Sequence, residues 1–411
     1  MPVIEERSVG GKSTNKMDNS RFNYYPNVSE SDYEQIMYKK KEYHMHKSDE
    51  PDASKDIKDY CERKPEEFEY QNQQSFVRNY IGPNTPQQSL FLYWGTGVGK
   101  TCGAVAIAEE FVPVILRYRE QGFRDSYIYI MSKDAPKNNF VKELLGPCGG
   151  HKYATSAELE RWNRLKLATD PKSKDEYDIL TKELESRLCN PKKGGCYRFI
   201  GYQKFTNRTI GARRKDNKGN PLPKMVNPDG TKTRPRKPRT GDVIDTLDNC
   251  VLIVDEAHQL NKNDWGEAVR IMIKRSKNIR VIFMSATPMT NYPNEIIRLL
   301  NPLLPDERKL KRKEVFIDEY TLTDEGLDLI AEASRGVVSY SRGVHPLTFP
   351  QRIEVGEIIK PIDIPEDENF KYTKLIRCEM SKFHLDTYDY YNKDSETLPK
   401  EIRQIVDMVL P

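Results

Sequence analysis

The stretch Ser89-Leu-Phe-Leu-Tyr-Trp-Gly-Thr-Gly-Val-Gly-Lys-Thr101 constrains this chain more than any other. Its apolar, aromatic half, Leu90 to Trp94, has the composition of a buried strand, and Cys102 to Phe111 reads as a helix. A glycine-rich turn between strand and helix is the setting of a phosphate-binding loop. Gly95, Gly97 and Gly99, with Thr96 and Val98 between them, let backbone N–H groups turn inward onto phosphate oxygens. The helix adds the positive end of its dipole. Lys100 is then expected to reach the β- and γ-phosphates of ATP, and Thr101 to place a hydroxyl on Mg²⁺. Trp94 stands where the usual pattern has its leading glycine.

A second anchor is Asn249-Cys-Val-Leu-Ile-Val-Asp-Glu-Ala-His258. Four consecutive apolar residues predict a strand buried on both faces, delivering two carboxylates at its C-terminal end. Asp255 is expected to hold Mg²⁺, and Glu256 to orient and deprotonate the attacking water. A third strand, Ile279 to Met284, ends in Ser285-Ala-Thr-Pro-Met-Thr-Asn291. Ser285 and Thr287 are candidates to contact His258 and couple nucleotide state to motion. Ahead of the loop, Glu69 to Ile81 carries apolar residues at helical spacing. A glutamine there, Gln74 before Gln71, is a candidate to read the adenine edge, since an amide both donates and accepts.

Strand Ser126 to Ser132 and helix Asn138 to Leu145 continue an alternation that predicts an α/β fold with a parallel sheet flanked by helices. In such a sheet the loops after the strands carry function, so Ser132 and Lys133 are candidate nucleic-acid contacts. Residues 146–195 and 206–245 interrupt the alternation as insertions. The first holds two helices read as charged and exposed, Glu158 to Leu167 and Asp175 to Leu188. It also carries Cys148, His151, Cys189 and Cys196, four residues of types that bind zinc. Their Cys-x₂-His and Cys-x₆-Cys spacings are atypical, and unpaired thiols are expected instead. The second insertion is basic and rich in proline and glycine, a loop or loose hairpin suited to a phosphate backbone. Arg213, Arg214, Lys215, Arg234, Arg236 and Lys237 are its candidate contacts.

In this order, Gly-Thr-Gly-Val-Gly-Lys-Thr, Asp-Glu-Ala-His and Ser-Ala-Thr resemble motifs I, II and III of superfamily 2 helicases. Phe76-Val-Arg-Asn-Tyr-Ile, Gly201-Tyr-Gln-Lys-Phe and Ser285-Ala-Thr-Pro-Met-Thr-Asn are similar to the helicase-like ATPases of large nucleocytoplasmic DNA viruses. That group includes the poxvirus-type early transcription factor ATPase and nucleoside triphosphatase I. The resemblance implies a RecA-like P-loop lobe over residues 65–305 and a nucleic-acid-dependent ATPase of the DEAH type, acting in viral transcription. It implies DNA or RNA as partner, an RNA polymerase or a protein supplying a second lobe as a further one, and a place in the virion or host cytoplasm. Gly336-Val-Val-Ser-Tyr-Ser-Arg-Gly is similar to segments between the two lobes of that family. No Gln-x-x-Gly-Arg-x-x-Arg motif follows Asn291, so autonomous helicase activity is not expected, and a non-catalytic ATP-binding subunit of a transcription or packaging complex is the alternative.

The remainder is bounded by composition. Seven scattered cysteines in 411 residues do not form a disulfide framework, which predicts a reducing compartment. The formal charge of +4 leaves any nucleic-acid site local. No apolar run is long enough to span a membrane, and none is expected to contact one. Residues 1–64 are polar and read as a partly disordered tail despite several tyrosines. Residues 306–411 read as a linker and the start of an incomplete second lobe.

Overall fold

Six strands lie side by side, every neighbouring pair parallel, in the order Tyr197–Ile200, Ile128–Met131, Val251–Val254, Arg280–Met284, Ser89–Trp94 and Val338–Ser341. The computed structural model describes residues 24–47, 68–214, 216, 222–223, 225–226, 232–233, 235–261, 263–341, 357–358, 376–377, 382 and 385–386. In chain order, α1 (Tyr33–Lys39), α2 (Lys41–His44) and α3 (Asn72–Tyr80) precede β1 (Ser89–Trp94) and α4 (Lys100–Glu120). Next come β2 (Ile128–Met131), α5 (Asp134–Leu145), α6 (Ser156–Lys166), α7 (Pro171–Cys189), β3 (Tyr197–Ile200) and α8 (Tyr202–Thr209). The short pair β4 (Met225–Val226) and β5 (Lys232–Thr233) is antiparallel. Then follow β6 (Val251–Val254), α9 (Asp264–Arg275), β7 (Arg280–Met284), α10 (Ile296–Leu300), α11 (Arg312–Val315), α12 (Gly326–Ser334) and β8 (Val338–Ser341).

The strands β2, β6 and β7 are buried along their whole length, which is why they are apolar but for Arg280 at the start of β7. Alternate side chains enter two separate cores. Leu90, Leu92, Ile130, Ile253 and Ile282 face one layer, with Val77, Ile107, Phe140, Trp162 and Leu184 of α3 to α7. Phe91, Met131, Leu252, Val254 and Phe283 face the other, with Phe205, Val269 and Leu300 of α8 to α10.

Three expectations change here. Residues 24–47, placed in a loose tail by composition, pack: Tyr33, Met37 and Tyr43 are buried, and the Tyr33 and Tyr80 hydroxyls meet at 2.7 Å. The helices α6 and α7, expected to be exposed, bury Trp162, Leu165, Leu180, Leu184 and Leu188, because each is amphipathic beneath its charged face. The first lobe does not stop near residue 305. β8 lies beside β1 in register Phe91↔Val338 to Trp94↔Ser341, and the Trp94 indole N–H donates to Ser339 Oγ at 3.0 Å.

The chain divides into residues 1–348 and 349–411. The described part of the second unit includes the antiparallel pair β9 (Glu357–Ile358) and β10 (Ile376–Arg377). Most of residues 342–411, the greater part of the expected start of a second lobe, lies outside the described residues. No described helix is long and apolar enough to cross a membrane.

Candidate active site

The glycine-rich loop leaves the C-terminal end of β1 and enters α4 through Gly99, whose φ of +74° is left-handed. A Cβ on Gly99 would lie 2.3 Å from Gln74 Nε2, so conformation and space both require glycine there. Gly97 is also left-handed, at φ +81°. Thr96 is exposed at the tip, Val98 is buried, and Gly95 and Thr101 are half-buried. Lys100 reaches back over the loop, donating to the carbonyls of Trp94 at 2.9 Å and Gly95 at 2.8 Å. Burial lowers its pKa, while the Glu256 and Asp255 carboxylates oppose that shift. Trp94, in the leading-glycine position, is fully buried; a Cβ on Gly103 would come within 3.0 Å of its ring.

Gln74 does not present a free amide to a base. Its Nε2 donates to Gly99 O at 3.1 Å and its Oε1 accepts from the Gln71 N–H at 2.9 Å. The Oε1 end is engaged because Gln71 and Gln74 form the capping box that starts α3, and the Nε2 end because the loop passes Gly99 over it. Gln74 therefore braces the glycine-rich loop, and Gln71 caps the helix.

Two strands away from β1, β6 delivers Asp255 and Glu256 to the same edge of the sheet. Asp255 is buried, and that burial, together with the neighbouring Glu256 carboxylate, pushes its pKa up to about 6. Its Oδ1 accepts from the Glu256 N–H at 3.0 Å. Glu256 is left-handed, φ 51° and ψ 51°, a conformation that costs a non-glycine residue roughly 1–2 kcal/mol. Its side chain is partly exposed and lies 3.3 Å from His258 Nδ1. From β7, between β6 and β1, Ser285 Oγ meets the same nitrogen at 3.0 Å and accepts from the Thr287 N–H at 3.1 Å. The structure thus brings His258, Ser285 and Thr287 together.

Tyr202 carried no role in the sequence. The run Cys196 to Phe205 reads as one strand, but β3 ends at Ile200 and α8 begins at Tyr202. The buried Tyr202 hydroxyl donates to the Asp255 carbonyl and lies 3.3 Å from the Glu256 carbonyl.

The candidate nucleic-acid residues divide. Ser132 is buried, so it is not a surface contact, whereas Lys133 is exposed. Arg213 pairs with Asp264, and Arg236 with Asp264 at 3.2 Å and Glu267 at 3.0 Å. These two arginines fasten the insertion to α9. Arg214 and Lys237 are exposed; Lys215 and Arg234 lie outside the described residues. The zinc quartet is not assembled. Cys148 is in a disulfide with Cys102 of α4, Cα atoms 5.5 Å apart, and Cys189 and Cys196 are free. Among the described residues the close group of possible ligands is Cys102, Glu143 and Cys148. The expectation of unpaired thiols fails at that pair, because the turn after α5 brings Cys148 against the first turn of α4.

The sequence model of the SNF2-related domain family matches residues 151–407, more than half of the chain. The chain belongs to this family. Within the SNF2-related match lie the Asp-Glu-Ala-His and Ser-Ala-Thr segments, and the glycine-rich loop precedes it. The chain is 31% identical to "Putative ATP-dependent RNA helicase L377" of Acanthamoeba polyphaga mimivirus, over 94% of this chain and 32% of that protein. It is 26% identical to an early transcription factor large subunit homolog of African swine fever virus, over 83% of this chain and 33% of the relative. These relatives bear out the resemblance to helicase-like proteins of large DNA viruses, and the chain spans about a third of their length. The helicase domain of Pyrococcus furiosus Hef overlaps 63% of this chain and 36% of its own at 12% identity and a TM-score of 0.27, too loosely to argue from.

Proposed function

We propose that this SNF2-related chain is the ATP-hydrolysing lobe of a DEAH-type, nucleic-acid-dependent ATPase that acts on DNA or RNA in viral transcription, in the virion or host cytoplasm. The observation that carries the reading is the convergence of Lys100, Asp255 with Glu256, and the His258–Ser285 contact at one sheet edge, on β1, β6 and β7. Lys100 exchanges its two carbonyl partners for β- and γ-phosphate oxygens. Glu256 takes a proton from the attacking water, and His258 passes the change to Ser285. Two adjacent carboxylates, one of them buried, suit a hard divalent cation, whose charge would offset the burial that raises the Asp255 pKa. Thr101 and Asp255 would hold Mg²⁺, which supplies charge neutralisation for the phosphates. The relatives' names, an RNA helicase and an early transcription factor subunit, favour the nucleic-acid and transcription parts. The second reading, a non-catalytic ATP-binding subunit of a transcription or packaging complex, is favoured by one observation: a relative is named an early transcription factor large subunit homolog.

Two variants test the proposal. Lys100→Ala is expected to lose ATP binding, and Glu256→Gln to keep binding while turnover falls by about 10²–10⁴-fold. Equilibrium nucleotide binding and single-turnover hydrolysis measure both. Wild-type turnover in Glu256→Gln would take the water-activating role away from Glu256, and ATP binding without hydrolysis by the unaltered chain would leave only the binding-subunit reading.

A further inference from the structure

The left-handed conformation of Glu256 needs a cause, because nothing in a glutamate side chain favours it. Residues in strained backbone persist only when their surroundings over-determine them. The Asp255 and Glu256 carbonyl oxygens lie on one side of the turn, and both face a single donor, the Tyr202 hydroxyl. The Glu256 carbonyl also accepts from the Gln259 N–H at 2.9 Å, within the short turn that follows. Tyr202 is itself held. It is buried, its ring packs on Trp265 with centroids 5.1 Å apart, and it sits in the first turn of α8. Trp265 belongs to α9, the helix that Arg213 and Arg236 clip to the basic insertion.

We propose that Tyr202 is the positioning residue that holds Glu256 in its left-handed conformation and so aims the carboxylate at the attacking water. The proposal rests on the ATPase reading and adds to it a residue outside the three motifs. Without the hydroxyl, the Asp255 carbonyl loses its side-chain donor and the turn can relax toward ordinary helical backbone, carrying the Glu256 carboxylate away. Lys100 and the glycine-rich loop are untouched, so the defect belongs to turnover and not to nucleotide binding.

Tyr202→Phe removes the donor and keeps the ring on Trp265. Single-turnover hydrolysis is expected to slow at least about tenfold, with ATP affinity within about twofold of wild type. Replacing Tyr202 with 4-aminophenylalanine, which keeps a donor at the same place, restores the rate. In a Glu256→Gln background Tyr202→Phe adds no further loss, since both act through one carboxylate. Hydrogen exchange reads the interaction without turnover: protection over residues 255–260 falls in Tyr202→Phe and returns with the amino analogue. Wild-type exchange in Tyr202→Phe, or equal losses of affinity and rate, would overturn the inference. Failure of the ATPase reading looks different, because the unaltered chain would then bind ATP without hydrolysing it, whatever hydrogen exchange shows at residues 255–260.

Discussion

Asp255 holds a carboxyl whose pKa is pushed up to about 6 from an ordinary 3.8, chiefly by burial. A folded-state pKa above the unfolded one means the protonated group favours the fold. That contribution is complete below the ordinary value and is lost as pH rises through about 6. At neutral pH the ionised carboxylate therefore strains the nucleotide-free protein, as functional groups often do. Asp255→Asn keeps an oxygen for the Glu256 N–H and cannot ionise. It is expected to melt about 2–4 °C above wild type at pH 7.5, with the gap closing as pH falls toward 4. Calorimetry at the two pH values decides it; a variant that melts lower at pH 7.5 would show that burial does not penalise Asp255. The sequence showed Asp255, Glu256 and Lys100 because each follows an apolar run at a sheet edge. It could not show Tyr202, which meets them only through folding, 53 residues before Asp255. Gln74 was legible as a residue near the loop, but its partners, the Gly99 carbonyl and the Gln71 N–H, were not.

The basic insertion shows how an element's charge can be read from composition while the partners of its residues cannot. Its charge and its prolines suggested a phosphate-binding loop, and all its cations looked equivalent. The fold separates them, since Asp264 and Glu267 of α9, 28 and 31 residues from Arg236, take up two arginines. Arg236 is mostly buried and also donates to Gly211 O at 2.9 Å, so its loss strands acceptors as well as charges. Arg236→Ala is expected to cost about 1–2 kcal/mol of stability. Arg214→Ala with Lys237→Ala, both exposed, leaves stability unchanged and weakens nucleic-acid binding uniformly across sequences. It should also flatten the salt dependence by about one unit of slope for each phosphate no longer neutralised. Binding titrations at several salt concentrations, alongside melting curves, separate the two pairs. If Arg214 and Lys237 leave the slope unchanged, the insertion is solvated surface. The N-terminal tyrosines make the same point in reverse: a polar segment whose apolar residues are spaced to meet α3 packs despite its composition.

On the scale of the whole molecule, residues 1–348 hold every motif the ATPase reading uses, and β8 extends that lobe to the strand beside the phosphate loop. The Gly95 N–H donates to Ser341 O at 2.9 Å, so the loop is tied to the last residue of β8. This tie was hidden because Val338 to Ser341 is half-exposed and short, unlike the buried strands. The lobe offers a candidate phosphate cradle, candidate metal ligands and a candidate water-activating carboxylate; the ATPase reading also needs a cation opposite the γ-phosphate. Two arginines that follow Asn291 are engaged elsewhere. Arg335 pairs with Glu34 at 3.2 Å, and Arg308 donates to the carbonyls of Glu332, Ala333 and Arg335. An arginine facing the γ-phosphate is worth on the order of 10³–10⁵ in rate in related nucleotidases. The 411-residue chain alone is therefore expected to bind ATP, hydrolyse it slowly and unwind no duplex. Supplying a second RecA-like lobe, on a longer chain or on a separate protein, should raise turnover by a large part of that factor. Steady-state hydrolysis with and without nucleic acid measures it. Brisk, nucleic-acid-stimulated hydrolysis by the chain alone would mean that an arginine of this chain, or of a second copy, faces the γ-phosphate.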